Sequence, residues 1–301
     1  SFKFNFYNYK LVKFIKKILN LVLYRILYKI LDPIYIFLDK KHVRRSKNIE
    51  FIPSAMNRKG GTYSYGEWAY IIGIFQTIIG DNIIKKTDNK VLDVGCGVGL
   101  LLNSIKPYLG SKGAYIGIDV MKNEITFSKK HYPNDFCFKH IDSKNPFYSS
   151  DQKDKAKWEF ENSSFDIVTA LSVWTHLNEE DAFFYMSEVS RVLKKDGKAF
   201  ITFFSLDKEY TNFQNENLDE KPKFHLQTKK QYIYDKKAYD SNDWFYPSWA
   251  EIPERAIGVT NLGLSRLFEK NNLKIVKRLK GTWKETPGIF FQDIYILEKK
   301  I

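Results

Sequence analysis

The sequence predicts an α/β fold in which a seven-stranded, mostly parallel sheet is covered by helices on both faces. From Val91 onward, apolar segments of strand length alternate with segments of helical period, and such alternation is typical of parallel sheets. The 301 residues are 44% hydrophobic and 28% charged, as in a globular chain with a sizeable core. This composition excludes a wholly disordered or fibrous protein.

The individual elements follow from periodicity and from residues that favour helix ends. Strands are predicted at 90–94, 114–119, 136–141, 165–171, 198–204, 273–279 and 289–298. Helices are predicted from Glu67 to Ile84, from near Val98, Asn123 and Glu179, and over 260–271. Asn178 is a suitable N-cap for the helix at Glu179, because its side chain can accept a backbone N–H. Residues 206–257 show no clean period and concentrate aromatic residues among charges, which predicts a substrate-side insertion or lid.

The first 50 residues carry most of the positive charge. Their twelve Lys and Arg outnumber three Asp and Glu, giving +9, whereas the whole chain carries +13. Residues 10–31 have a helical period with a basic stripe, Asp32-Pro33 is expected to end this helix, and a basic cluster follows at 40–45. We therefore expect residues 1–49 to form a basic helical arm beside a main domain at 50–301. The arm either binds an anionic membrane surface through residues 1–45 or packs on the main domain or a second subunit.

The same features predict a cellular location. No N-terminal stretch reaches the roughly 20 apolar residues needed to cross a bilayer, and basic residues interrupt any secretory signal. With only two cysteines, Cys96 and Cys137, the sequence provides neither a disulfide framework nor a four-cysteine zinc site. We expect a cytoplasmic protein without a metal, with its arm at the inner face of the membrane.

A glycine-rich turn joins the first strand to the first helix. Gly95, Gly97 and Gly99 let the backbone turn tightly and approach a ligand without Cβ clashes. Position 100 is Leu, so the spacing departs from the G-x-G-x-x-G of dinucleotide sites. On its own this loop is also consistent with a structural turn.

Acidic residues follow the first three strands of the predicted sheet. Asp93 precedes the glycines, Asp119 ends the second strand and Asp142 ends the third. Each one alone is consistent with a strand-end turn residue. Together with the glycine loop they share the carboxyl edge of one sheet, where open α/β sheets bind ligands. There Asp119 can accept hydrogen bonds from both hydroxyls of a ribose, and Asp142 from the amino group of an adenine.

Three motifs, in order along the chain, carry a resemblance to the class I S-adenosylmethionine-dependent methyltransferases. Val91-Leu92-Asp93-Val94-Gly95-Cys96-Gly97-Val98-Gly99 looks like the first motif of that family. Residues 164–177 are similar to its fourth-strand motif, and residues 188–197 resemble the helix and turn before its fifth strand, with Asp196 where a second glycine is common. The resemblance implies a Rossmann-like fold, S-adenosylmethionine as cofactor and S-adenosylhomocysteine as product. It implies cofactor contacts from Tyr63, Asp93, Gly95, Cys96, Gly97, Gly99, Asp119, Val120, Asp142, Ser143 and Leu171.

A narrower likeness suggests the methyl acceptor. The run Ser172-Val173-Trp174-Thr175-His176-Leu177, with Gly281-Thr282-Trp283 and Phe291-Gln292-Asp293, resembles bacterial methyltransferases of cell-surface glycan pathways. It implies O-methylation of a sugar or glycan, free or lipid-linked, in polysaccharide or glycolipid biosynthesis. His176 is the candidate general base, because its ordinary pKa of about 6.5 suits proton transfer. A purely structural role stays open, and His225, Glu251 and Glu254 are the reserve candidates.

Three other functions stay open from the sequence. The net charge suggests a nucleic-acid methyltransferase, but most of that charge lies in the arm, and Leu171-Ser172-Val173-Trp174 stands where an Asn/Asp-Pro-Pro-Tyr motif would follow the fourth strand. We therefore expect no nucleic-acid partner. Another small-molecule methyltransferase is an alternative, and so is a scaffold that kept the fold without catalysis.

Overall fold

The computed structural model describes residues 23, 26–35, 37, 49, 51–58, 64–148 and 155–300. These residues fall into two units that divide between Ile72 and Gly73. Most of the predicted basic arm, including the cluster at 40–45, lies outside the described residues. No helix in the described part of the chain is both long and apolar enough to cross a membrane.

The first unit contains a helical run at 26–35 that continues through Asp32 and Pro33. The prediction that these two residues end the helix is therefore wrong. Asp32 is buried and forms an ion pair with the equally buried Arg58, whose Nη1 also donates to the carbonyl of Pro53 at 2.9 Å. Proline fits a helical φ and lacks one backbone N–H, so a helix held by this buried pair tolerates it.

The second unit holds all of the helices and strands named below, except the residues of the first helix up to Ile72. The helices are α1 (Tyr65–Asn82), α2 (Leu100–Ile105), α3 (Lys122–His131), α4 (Glu179–Val192), α5 (Lys208–Gln214) and α6 (Asn261–Lys270). The strands are β1 (Lys90–Val94), β2 (Ala114–Asp119), β3 (Phe136–His140), β4 (Phe165–Ala170), β5 (Leu193–Leu206), β6 (Lys236–Lys237), β7 (Trp244–Tyr246), β8 (Gly258–Thr260), β9 (Leu273–Leu279) and β10 (Asp293–Lys299). The predicted N-cap of α4 is confirmed, because Asn178 Oδ1 accepts the backbone N–H of Asp181 at 3.0 Å.

Seven strands form the predicted sheet, in the order β3-β2-β1-β4-β5-β10-β9. β1 to β5 are parallel, and β10 is antiparallel to both of its neighbours. Leu92 in β1 lies beside Ile116 in β2 and Val168 in β4. The central strands are almost continuously buried, as expected for parallel strands covered on both faces. Their carboxyl ends meet at one edge of the sheet.

The strand count corrects the prediction, since three short strands join the seven. β5 continues to Leu206, beyond the predicted end at 204, and its last residues pair with β8, followed by β7 and β6. Residues 206–257 thus contain α5, β6 and β7, where no period was visible. Several of their aromatic side chains are core residues, because Tyr210, Phe213 and Tyr234 pack with Phe204 and Trp283.

Candidate active site

The glycine loop after β1 has the backbone that its sequence predicts. Gly95, Gly97 and Gly99 have φ of +66°, +51° and +83°, a region that side chains with a Cβ rarely adopt. The N–H groups of Gly95 and Cys96 both donate to the carbonyl of Ile118, at 2.8 and 3.1 Å. The loop is therefore fixed to β2, and Gly95 stays exposed at the carboxyl edge.

Asp119 connects the end of β2 to this loop. Its Oδ2 accepts the N–H of Gly97 and its Oδ1 accepts the N–H of Met121, both at 2.8 Å. Burial raises the pKa of this carboxyl group, while the backbone donors act in the opposite direction. A carboxylate has about four lone-pair sites, so capacity remains for ligand hydroxyls. The structure thus brings two predicted features, the loop and Asp119, into direct contact.

Asp93 has a different environment from Asp119. It is buried inside the sheet, where its carboxylate accepts hydrogen bonds from Thr169 Oγ1 and Tyr115 Oη, both at 2.7 Å. Burial raises its pKa to about 7. Asp93 therefore joins β1 to β2 and β4, and its contact with a bound cofactor stays a prediction.

The other predicted cofactor contacts lie near the same edge. Asp142 is exposed after β3, Leu171 is half-buried after β4, and the Cys96 thiol is buried under the loop. The carbonyl of Val120 accepts Nε2–H of His140 at 3.1 Å. Ser143 is buried, and its hydroxyl bonds the hydroxyl of Tyr185 on α4, so that side chain supports helix packing. Tyr63 lies outside the described residues.

His176 is held in a short 3₁₀ turn just after β4. Its Nδ1–H donates to the backbone carbonyl of Glu254 at 2.8 Å, which leaves the Nε2 lone pair available. The Tyr148 hydroxyl lies 3.3 Å from Nε2 and donates to it, which shows that a hydroxyl can reach this atom. Phe147 stacks on the imidazole with centroids 5.9 Å apart. Burial lowers the pKa of His176, so the ring is neutral near pH 7.

Of the three alternative candidates for the general base, Glu254 contacts His176, whereas His225 and Glu251 do not. Glu254 is fully buried, and its carboxylate accepts hydrogen bonds from Asn178 Nδ2 at 3.2 Å and Tyr239 Oη at 3.0 Å. His225 instead faces Glu285, with Nε2 3.2 Å from Oε1. Glu251 is exposed at the surface. Glu254 therefore positions His176 through its backbone carbonyl, while its side chain fixes the loop that carries it.

Sequence reasoning missed the residues that surround His176. Asn145 Oδ1 accepts the N–H groups of Phe147 and Tyr148, at 3.0 and 3.2 Å, and its Nδ2 donates to the carbonyl of His176 at 2.9 Å. The pair Asn145-Pro146 is a recognisable turn signal. That signal predicts the turn, but it contains no information about the distant residue that the turn contacts.

The glycine loop and the carboxylates beside it fit S-adenosylmethionine, the cofactor that the sequence motifs imply. The loop presents open backbone at Gly95, and the neighbouring carboxylate of Asp119 keeps unused acceptor capacity for the hydroxyls of a nucleoside. An ideal Cβ on Gly97 would lie 3.1 Å from Glu124 Oε2, so a second carboxylate borders the loop. Two carboxylates beside open backbone suit a positively charged nucleoside such as S-adenosylmethionine.

Comparisons with known proteins identify the type of domain in this part of the chain. Residues 92–201 match the family described as "Methyltransferase domain", which covers β1 to β5 up to Ile201. The "Ubiquinone biosynthesis O-methyltransferase, mitochondrial" of Dictyostelium discoideum is 32% identical over 114 residues, or 37% of this chain and 34% of that protein. The matched part thus spans about a third of that relative.

A solved structure shares the fold. A protein from Pyrococcus horikoshii OT3 is 18% identical with a TM-score of 0.52, covering 78% of this chain and 92% of that chain. A SAM-dependent methyltransferase from Methanosarcina mazei is 19% identical with a TM-score of 0.48, covering 74% and 97%. The family match identifies residues 92–201 as a methyltransferase domain.

Proposed function

We propose that this chain methylates a hydroxyl oxygen of a sugar or glycan, with His176 as the general base. The observation that carries the proposal is the tautomer of His176, in which the Nδ1–H bond to Glu254 makes Nε2 the acceptor atom of the ring. The Tyr148 hydroxyl donates to Nε2 here, and the hydroxyl of the methyl acceptor would take its place. A hydroxyl is a poor nucleophile until it begins to lose its proton. A neutral imidazole at the carboxyl edge, on the side of the glycine loop, is suited to remove it.

The reaction is a displacement at carbon. When bound, S-adenosylmethionine supplies a methyl group on a positively charged sulfur. The acceptor oxygen would bond to the methyl carbon as the carbon–sulfur bond breaks, and the acceptor proton would pass to Nε2 of His176. The carbonyl of Glu254 stabilises the resulting imidazolium, and the loop with Asp119 holds the donor in place. Most of the acceleration comes from fixing the reacting groups in position.

Two acceptor classes have support. The run from Ser172 to Leu177 favours a glycan through its likeness to bacterial cell-surface glycan methyltransferases. The second candidate is a small-molecule hydroxyl, which the name of the ubiquinone biosynthesis relative favours. Both proposals share oxygen as the nucleophile and differ in the size of the acceptor.

Transfer of labelled methyl into whole-cell fractions tests the proposal. Wild type is incubated with labelled S-adenosylmethionine and with lipid, glycan, nucleic-acid and small-molecule fractions, and His176→Ala serves as the inactive control. We expect label in the glycan or glycolipid fraction. Label in the small-molecule fraction favours the second candidate, and label in nucleic acid contradicts both. Cofactor binding without any transfer supports the non-catalytic scaffold.

We also propose that the chain attaches to the anionic inner face of the membrane through its N-terminal helix. On this helix the side chains of Leu23, Ile26, Leu27, Ile30, Ile34 and Phe37 are 50–66% exposed and follow a spacing of three to four residues. That spacing places them on one helix face. The ion pair of Asp32 with Arg58 lies on the buried side, and the first 50 residues carry +9. An exposed apolar face within a basic segment suits an anionic lipid surface.

Vesicle sedimentation tests this attachment. Phosphatidylcholine vesicles with and without phosphatidylserine are mixed with the wild type, with Ile30→Glu, and with the matched control Leu262→Glu, which alters an exposed leucine on α6. Wild type and control should bind the anionic vesicles, and added salt should weaken binding. Equal binding by Ile30→Glu, or equal binding to neutral vesicles, would contradict the proposal. A shift to dimers without lipid would favour packing on a second subunit.

A further inference from the structure

Gln292 lies directly before β10, at the edge of the sheet that carries the glycine loop. β10 is antiparallel to β5, with Asp293 beside Phe203, so its first residues lie where the parallel strands end. Asp293 is fully buried and accepts hydrogen bonds from Trp283 Nε1 at 2.9 Å and the N–H of Gly281 at 3.1 Å. The backbone next to Gln292 is therefore fixed.

The amide of Gln292 holds a strained turn. Its Nε2 donates to Ser172 Oγ at 2.9 Å, and the N–H of Ser172 donates to Thr202 Oγ1 at 2.8 Å. Ser172 has φ of +59°, a left-handed conformation that is costly for a residue other than glycine. The next residue, Val173, packs on the glycine loop, since an ideal Cβ on Gly95 would lie 2.4 Å from Val173 Cγ2. The Ser172–Gln292 pair is thus one residue away from the loop contact.

The other polar atom of the amide, Oε1, has no hydrogen-bond partner within the described ranges of the chain. Gln292 is only 7% exposed, and a buried amide oxygen without a donor is destabilising. Such a group beside backbone strain is typical of ligand sites. Because an amide oxygen only accepts hydrogen bonds, its missing partner is a donor such as a hydroxyl.

We propose that Oε1 of Gln292 accepts a hydrogen bond from a hydroxyl of the methyl acceptor, which makes Gln292 an acceptor-binding residue. This inference rests on the proposed function and deepens it. The hydroxyl is a second one, beside the reacting oxygen, because the reacting oxygen gives its proton to His176. A neutral amide oxygen repels anions and accepts hydrogen bonds from neutral hydroxyls, so the proposed acceptor carries at least two hydroxyls.

The test measures binding of two dihydroxy probes to protein saturated with S-adenosylhomocysteine. The probes are methyl α-D-glucopyranoside and catechol, and 1,2-dimethoxybenzene is the analogue that lacks donors. Dissociation constants are measured by NMR titration for the wild type, Gln292→Met, Gln292→Glu and Gln214→Met. Gln292→Glu keeps an acceptor oxygen, and Gln214→Met makes the same change at the exposed end of α5. Calorimetry with S-adenosylhomocysteine shows whether each variant keeps its fold and cofactor site.

We expect at least one dihydroxy probe to bind the wild type and 1,2-dimethoxybenzene to bind more weakly. Gln292→Met should weaken probe binding about tenfold, the scale of one lost hydrogen bond, while Gln214→Met stays within about threefold of wild type. Gln292→Glu keeps an acceptor oxygen but loses the Nε2 donor to Ser172, so it should weaken probe binding less than Gln292→Met. The probe that binds distinguishes a sugar from a phenol. Equal affinity in wild type and Gln292→Met overturns the inference, and so does a wild type that binds S-adenosylhomocysteine but neither probe. A wild type that does not bind S-adenosylhomocysteine overturns the proposed function itself.

Discussion

The carboxylate of Asp119 accepts the backbone N–H of Gly97 at 2.8 Å, although 22 residues separate them in the sequence. The contact joins the end of β2 to the glycine loop after β1. It fixes the loop in the conformation that its positive φ angles describe. At the proposed cofactor site, Asp119 therefore stabilises the loop conformation, and its remaining lone pairs can accept hydrogen bonds from a ligand.

Replacement of Asp119 tests both of these roles. Asp119→Ala should weaken the binding of S-adenosylhomocysteine by about 1.5–3 kcal/mol, because hydrogen bonds to a charged group have this scale. Isothermal calorimetry measures the change, and Asp135→Ala, at an exposed position before β3, is the matched control. Unchanged affinity in Asp119→Ala would remove this carboxylate from the site.

Removal of the proposed base should slow methyl transfer without changing the affinity for the cofactor. His176→Ala should lower the single-turnover rate of methyl transfer by about 10²–10⁴-fold, measured with the fraction that accepts label. His131→Ala, on α3, is the control. Because burial lowers the pKa of His176, the wild-type rate should decline in acid only below the ordinary histidine value of about 6.5. A loss of less than about fivefold in His176→Ala would assign this residue a structural role.

Asp93 should make stability depend on pH. Its pKa rises from 3.8 to about 7 in the fold, so the folded chain retains a proton that the unfolded chain releases. The stabilisation is complete below the unfolded pKa and is lost as pH rises through the folded one. Between pH 5 and pH 8 the free energy of unfolding of the wild type should fall by about 2–3 kcal/mol because of this group.

Asp93→Asn removes the titrating proton while keeping a side chain of similar shape. Urea unfolding at pH 5 and pH 8 should show a smaller difference for Asp93→Asn than for wild type. Asp196→Asn, at an exposed position, should behave like wild type. An identical pH dependence in Asp93→Asn and wild type would refute a raised pKa at Asp93.

Two glycine-to-alanine changes should have opposite signs. Gly95→Ala places a Cβ on a residue with left-handed backbone conformation and brings it close to Val173 Cγ2. This change should destabilise the folded protein by about 1–2 kcal/mol or more. Gly73 lies inside α1, and nothing lies within 4 Å of a Cβ added there. Gly73→Ala should therefore stabilise by up to about 1 kcal/mol. Urea denaturation measures both, and a stabilising Gly95→Ala would contradict the strained loop.

Local patterns allowed the sheet, and the glycines and acidic residues at its carboxyl edge, to be predicted. Parallel strands buried on both faces produce apolar runs, and β1, β2, β4 and β5 were therefore visible in the sequence. Asp119 and the glycines were visible because strand ends and left-handed turns restrict residue type. The bond from His176 to Glu254 spans 78 residues and ends on a backbone carbonyl, which any residue provides. Neither it nor the pairing of β8 with the extended end of β5 leaves a local signal.

The antiparallel direction of β10 affects which mutations could change the acceptor specificity of this chain. The residues before β10 reach the functional edge from the opposite direction, and they are separate in sequence from the glycine loop and from Asp119. Mutation or recombination confined to the loop between β9 and β10 can therefore alter what approaches Ser172 without changing a residue of β1 to β3. A library restricted to residues 280–292 is accordingly a compact starting point for redirecting this scaffold to new acceptors.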